Sequence, residues 1–190
     1  MAAYNSPEGT CATAAGQPPG QTTGAGTADE IRVGMGDIAV ARAPATLAII
    51  GLGSCVGVAL YYPKERVGGL AHIMLPDSTR SRNNASREKF ADTGLPIMLE
   101  RLKRSGAEPL RVTARLVGGA SMFKNSNPNG SSPLFNIGEN NVRACREFLK
   151  KEHIRIVGEE VLGCCGRTMR FDLSTGKITV RQADGSGTEL

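Results

Sequence analysis

Gly51-Leu52-Gly53-Ser54-Cys55 joins two apolar runs, residues 45 to 52 and 56 to 62. A run rich in Val, Ile, Leu and Ala that stops at two glycines and a serine, then resumes as Val56-Gly57-Val58-Ala59-Leu60, reads as strand, turn, strand. Glycine, serine and cysteine suit a turn that exposes backbone N–H groups, and Gly53, Ser54 and the amide of Cys55 itself are its candidate oxyanion-holding positions. A third apolar run, 67 to 75, follows Pro63 to Arg66 and contains His72. Two strands joined by that turn lie antiparallel, so Cys55, before the first strand, and His72, late in the second, are expected at one end of the pair. A cysteine beside a histidine is the minimal set for a thiol nucleophile. The plainer alternative for each is equally concrete: Cys55 as a small buried apolar residue, His72 as a satisfied core histidine.

Outward from this centre, further Val- and Ile-rich runs at 38–42, 111–118, 154–161, 168–173 and 177–182 read as strands. Ser174-Thr175-Gly176 separates the last two as a hairpin turn. Two segments have helical period instead. Phe90, Leu95, Met98, Leu99 and Leu102 form one face, with Asp92 or Thr93 as cap and Gly106 as stop; Pro96 is tolerated if the helix begins at Thr93. Val142, Cys145, Phe148 and Leu149 form the second, preceded by Asn140, which makes Cys145 a core residue. Lys124 to Pro133, rich in Asn, Ser, Pro and Gly, reads as a surface loop. About eight strands and two helices imply an α+β domain.

The chain has 190 residues, 40% of them apolar, which suits one domain. Residues 1–28 hold Glu8 as their single charged residue and almost no large apolar side chain, so they are expected to be a disordered tail containing Cys11, ahead of one domain at 29–190. The net charge of +5 favours acidic partners, while 4% aromatic content and the lack of Trp supply no base-stacking platform, which argues against nucleic acid. No basic and apolar leader and no run of about 18 apolar residues is seen, so a cytoplasmic location without membrane insertion is expected. Five cysteines are then read as free thiols. Cys164 and Cys165, on opposite faces of a strand, make a poor chelating pair even with His153 or Cys145 nearby, and no metal site is expected.

GLGSCV (51–56), AHIMLPDS (71–78), KFADTG (89–94), GGASMF (118–123), FNIGENN (135–141) and GRTMRFDLSTGKITVR (166–181) occur in the order seen in the CheD family of chemoreceptor glutamine deamidases, which the chain resembles over about residues 31–182. The resemblance implies stacked β-sheets flanked by helices, like the catalytic domain of cytotoxic necrotizing factor. It implies a chemotaxis enzyme that hydrolyses glutamine side chains of methyl-accepting chemoreceptors to glutamate and ammonia without metal or organic cofactor. Its nucleophile falls on Cys55 and its histidine on His72. The family threonine falls on Ile49, whose side chain cannot accept an imidazole N–H; the backbone carbonyl of residue 49 is the expected substitute, with Thr46 the other option. A thiolate favoured by imidazolium and turn amides would attack the glutamine Cδ. Arg80, Arg82, Arg87 and Lys89 could face an acidic receptor stalk or simply be solvated, and Phe123 could anchor a partner or lie in the core. The family's expected partner is a CheC-type phosphatase. The competing reading, drawn from Ile49, is a non-catalytic signalling module that binds a receptor or that phosphatase.

Overall fold

A computed structural model describes residues 29–79, 86–121 and 136–190. The expected tail 1–28, the loop 124–133, Phe123, Arg80 and Arg82 lie outside these described residues. The strands are β1 (Asp29–Arg32), β2 (Ile38–Arg42), β3 (Ala45–Leu52), β4 (Val56–Tyr62), β5 (Val67–Ile73), β6 (Thr113–Gly118), β7 (Arg155–Val161), β8 (Arg167–Asp172), β9 (Ile178–Gln182) and β10 (Gly187–Glu189); the helices are α1 (Ala91–Arg104) and α2 (Ile137–Lys151).

The strands form two mixed five-stranded sheets, ordered β1-β3-β8-β9-β10 and β2-β5-β4-β6-β7. Every residue of β4 and β5 is buried, because each strand is covered on both faces. Alternation along β4 divides the core in two. Val56, Val58, Leu60 and Tyr62 join Leu95, Met98, Leu102, Cys145 and Leu149 of the helices in one cluster. Ala59 and Tyr61 turn the other way, with Leu70 and Val117, and meet Leu47, Ile49, Met169 and Phe171 of the first sheet. The layers are therefore helices, sheet, sheet. The domain is α+β as expected, with both helices on the outer face of the β2-β5-β4-β6-β7 sheet rather than on two sides.

Two helix ends differ from the sequence reading. Helix α1 begins at Ala91 with Phe90 as N-cap and no side-chain cap, and carries Pro96 inside it. Asp92 caps nothing there; its carboxylate accepts hydrogen bonds from the amide and hydroxyl of Ser78 instead. Helix α2 starts at Ile137, earlier than Asn140, so Asn141 lies within it.

Candidate active site

The β4–β5 hairpin turns through a 3-10 segment at Pro63–Glu65 and pairs Gly57 with His72 and Val56 with Ile73. Cys55 sits one residue beyond that ladder. It packs against the inter-sheet cluster, toward which the His72 face of β5, shared with Leu70, also turns. Both point to the layer between the sheets. Cys55 is half-buried against the inter-sheet cluster, and His72 is 3% exposed. Gly57, opposite the histidine, leaves its space to Met169, Leu52 and Ile49; a Cβ there would stand 2.9 Å from the Met169 sulfur.

The cysteine turn is fastened by its carbonyls. Gly53 O accepts from Ala120 N at 2.8 Å and Cys55 O from Gly119 N at 2.7 Å. Ser54 O accepts from Asn141 Nδ2 at 3.0 Å, and the same nitrogen donates to Met74 O at 2.9 Å. A trans peptide points its N–H opposite to its C=O. With the carbonyls of 53 and 54 anchored inward, the Ser54 and Cys55 amides face away from those anchors, and among the described residues neither has a hydrogen-bond acceptor. Gly118 and Gly119 make this packing possible: both have positive φ, 111° and 69°, and a Cβ on Gly118 would lie 2.3 Å from Cys55 O. Upstream, a register shift in the β3–β8 pairing between Ile49 and Leu52, with Gly51 at φ 80°, puts an irregularity near the end of β3, just before the turn.

Around the histidine, the segment between β1 and β2 crosses from one sheet to the other. Its backbone bonds that of His72 twice, through Asp37 O and Gly36 N. The carbonyls of Val33 and Gly34 lie alongside the imidazole, and the Asp37 carboxylate adds a weaker attraction for its protonated form. None of these is a formed hydrogen bond: among the described residues both imidazole nitrogens are buried without a partner. Burial dominates the titration of the pair. It holds the imidazole below its usual 6.5 and pushes the Cys55 thiol above its usual 9.0. Burial therefore disfavours the charged form of each group, the thiolate of Cys55 and the imidazolium of His72.

Ile49 is fully buried and its side chain faces the inter-sheet layer, next to Gly57. Thr46, three residues earlier, has the opposite parity and is removed from the site. Cys145 is core, its thiol pushed up to about 12 by burial. Cys164 and Cys165 lie in the connection after β7, outside any strand, with their sulfurs 3.9 Å apart, and among the described residues no group of three metal-ligating side chains stands together. Lys89 lies over the Phe90 ring at 5.1 Å, and Arg87 is exposed. The cleft of about 460 Å³ between α1 and α2, lined by Pro96, Asn140 and Phe148, is on the helical side and is not lined by Cys55 or His72. Sequence reasoning missed Asn141 and the Gly118-Gly119 pair. The available signals were an Asn on the apolar face of α2, one residue before Val142, and adjacent glycines at the end of a strand.

The model of the CheD chemotactic sensory transduction family matches residues 74–182, more than half of the chain, beginning two residues after His72. A protein of Desulforamulus reducens named probable chemoreceptor glutamine deamidase CheD is 49% identical over 152 residues, covering 80% of this chain and 90% of its own length. The chain belongs to the CheD family. CheD relatives bearing the same name in Caldanaerobacter subterraneus subsp. tengcongensis and Clostridium novyi are 46% and 42% identical, covering 80% of this chain in both cases and 91% and 93% of their own lengths. Among solved structures, a hypothetical protein YfiH of Bacillus licheniformis aligns with a TM-score of 0.42 and 17% identity over 67% of this chain and 51% of its own. No helix among the described residues is long and apolar enough to cross a membrane.

Proposed function

We propose that this CheD-family protein is a cysteine-dependent protein-glutamine deamidase that converts glutamine side chains of methyl-accepting chemoreceptors to glutamate in the cytoplasm, with Cys55 as nucleophile and His72 as general base and acid. The observation that carries the reading is the placement of Cys55 and His72 on one face at one end of the β4–β5 hairpin. The names of the relatives, at 42–49% identity, supply the substrate class. The likeness to the cytotoxic necrotizing factor catalytic domain, the CheC-type phosphatase as partner and Phe123 as its anchor belong to the same reading.

A neutral pair starts the reaction as a base-assisted attack. His72 takes the thiol proton as Cys55 Sγ bonds to the glutamine Cδ, and the carbonyl oxygen becomes an oxyanion facing the Ser54 and Cys55 amides. The imidazolium returns the proton to the amide nitrogen, the C–N bond breaks, and ammonia leaves. Water, deprotonated by His72, then adds to the thioester, and collapse of the second oxyanion releases glutamate and the thiol. The carbonyls of Val33 and Gly34, with the Asp37 carboxylate, are the groups placed to steady the imidazolium in each half. The position-49 carbonyl is not needed for that.

Ammonia release from a glutamine-bearing receptor fragment tests the reading: the natural chain should be active, and Cys55→Ala and His72→Ala silent. Activity surviving in Cys55→Ala would refute it. A second reading, a non-catalytic module that binds a receptor or phosphatase, draws on the raised thiol and the partnerless imidazole. Iodoacetamide separates the two. A catalytic pair requires the alkylation rate of Cys55 at neutral pH to fall in His72→Ala, whereas a non-catalytic module leaves that rate unchanged.

A further inference from the structure

We infer that Asn141 is the positioning residue that aims the Cys55 amide at the oxyanion, a role that rests on the deamidase reading above. Asn141 is fully buried in α2, on the apolar face that packs against β4, where burying a carboxamide carries a desolvation cost. Its nitrogen donates to two acceptors of different origin: Ser54 O on the nucleophile turn and Met74 O, two residues beyond His72. Because both partners are carbonyls, they also fix which end of the carboxamide is nitrogen. Its Oδ1 is buried and, among the described residues, has no partner, so the side chain is held by its donor end alone.

The consequence lies in one peptide plane. Ser54 C=O and Cys55 N–H belong to the same rigid group, so a donor that holds the carbonyl inward sets the N–H outward. The Gly53 and Cys55 carbonyls are held by backbone amides of residues 120 and 119, which no side-chain substitution removes. The 54–55 peptide alone depends on a side chain. The same nitrogen ties that peptide to the strand end that carries His72, which fixes the donor relative to the base. Asn141 therefore acts through the Cys55 amide and touches neither the sulfur nor the substrate.

The test compares Asn141→Leu with the natural chain in two reactions. Deamidation builds an oxyanion, whereas alkylation of Cys55 by iodoacetamide builds none. Asn141→Leu should lower kcat for ammonia release on the order of 10²-fold, the usual effect of losing one oxyanion donor, with KM and the alkylation rate each within about threefold. Leu149→Ala, a cavity at the far end of α2, controls for destabilisation and should leave kcat unchanged below its melting temperature. If Asn141→Leu fails to fold, Asn141→Asp keeps the size; its carboxylate repels both carbonyls, so its kcat deficit relative to the natural chain should deepen as pH rises. Unchanged kcat in the folded variant, or alkylation falling in step with kcat, overturns the inference. A natural chain that releases no ammonia removes the deamidase reading and this one with it, whereas an active natural chain with an equally active variant removes this one alone.

Discussion

His72 and Cys55 are shifted in opposite directions by a single cause, loss of water around the site. An imidazole held below 6.5 remains an unprotonated base at pH values where a free histidine is half charged, so activity should persist into mildly acidic solution. The acid limb of kcat/KM against pH should therefore lie below 6.5; a limb at or above 6.5 would contradict the burial of His72. Alkylation of Cys55 should keep rising with pH beyond 9, because the raised thiol ionises late. Ile49 is a separate case. Its side chain faces the right layer but offers no acceptor, and Ile49→Thr would place a hydroxyl among Met169, Leu52 and Gly57. We expect that variant to lose about 1–3 kcal/mol of stability, the usual cost of a buried hydroxyl without a partner, with ammonia release within a few-fold of the natural chain. A tenfold gain would mean that the Val33 and Gly34 carbonyls leave the imidazole poorly oriented. Nothing in the residue alphabet separates these possibilities: that backbone carbonyls from the β1–β2 segment reach His72 depends on a crossover between sheets, which side-chain patterning does not encode.

Helix α2 shows two opposing effects at one glycine. Alanine in place of a helical glycine ordinarily stabilises by up to about 1 kcal/mol. At Gly138 a Cβ would stand 2.4 Å from Gly119 O and 2.9 Å from Ala120 O, both backbone atoms that cannot swing aside. The clash wins. Gly138→Ala should push α2 off the 118–120 loop, whose amides hold Gly53 O and Cys55 O, and so reduce both the melting temperature and activity; a variant as stable and active as the natural chain would show that this contact is loose. The long strands were legible because β4, β5 and their neighbours are buried as apolar runs, and the hairpin that pairs Gly57 with His72 follows from the short Pro63 to Arg66 turn. Strands β1 and β10 were not. They are four and three residues long and wholly exposed, so they carry no apolar pattern to read, and β1 is recognised only by its parallel pairing with β3. Asn141 was hidden for the opposite reason: a polar residue on an apolar stripe looks like a helix boundary until the helix is seen to begin at Ile137.

For the molecule as a whole, the buried titrating groups bracket a window of stability. His72 binds its proton less tightly folded than unfolded, so the unfolded state takes up more protons as pH falls through 6.5 and stability drops, levelling once the lowered folded pKa is passed. Cys55 and Cys145 hold their protons more tightly when folded, Cys145 up to about 12, so stability drops again as pH rises past 9. Thermal melts across pH should peak between about 6.5 and 9. In Cys145→Ala the alkaline decline should be shallower; an unchanged decline would locate its cause elsewhere.

Strand β4 lies third of five in its sheet, roofed by helices and floored by the other sheet, and Cys55, the proposed nucleophile, directly precedes its first residue. Such a strand has no private way to come apart: its amides should trade hydrogen for deuterium only when the entire domain opens, long after those of the fringe strands β1 and β10. Catalytic competence should then vanish with the global melt, in one step, with no cooler prelude in which the body stands and the centre has already failed.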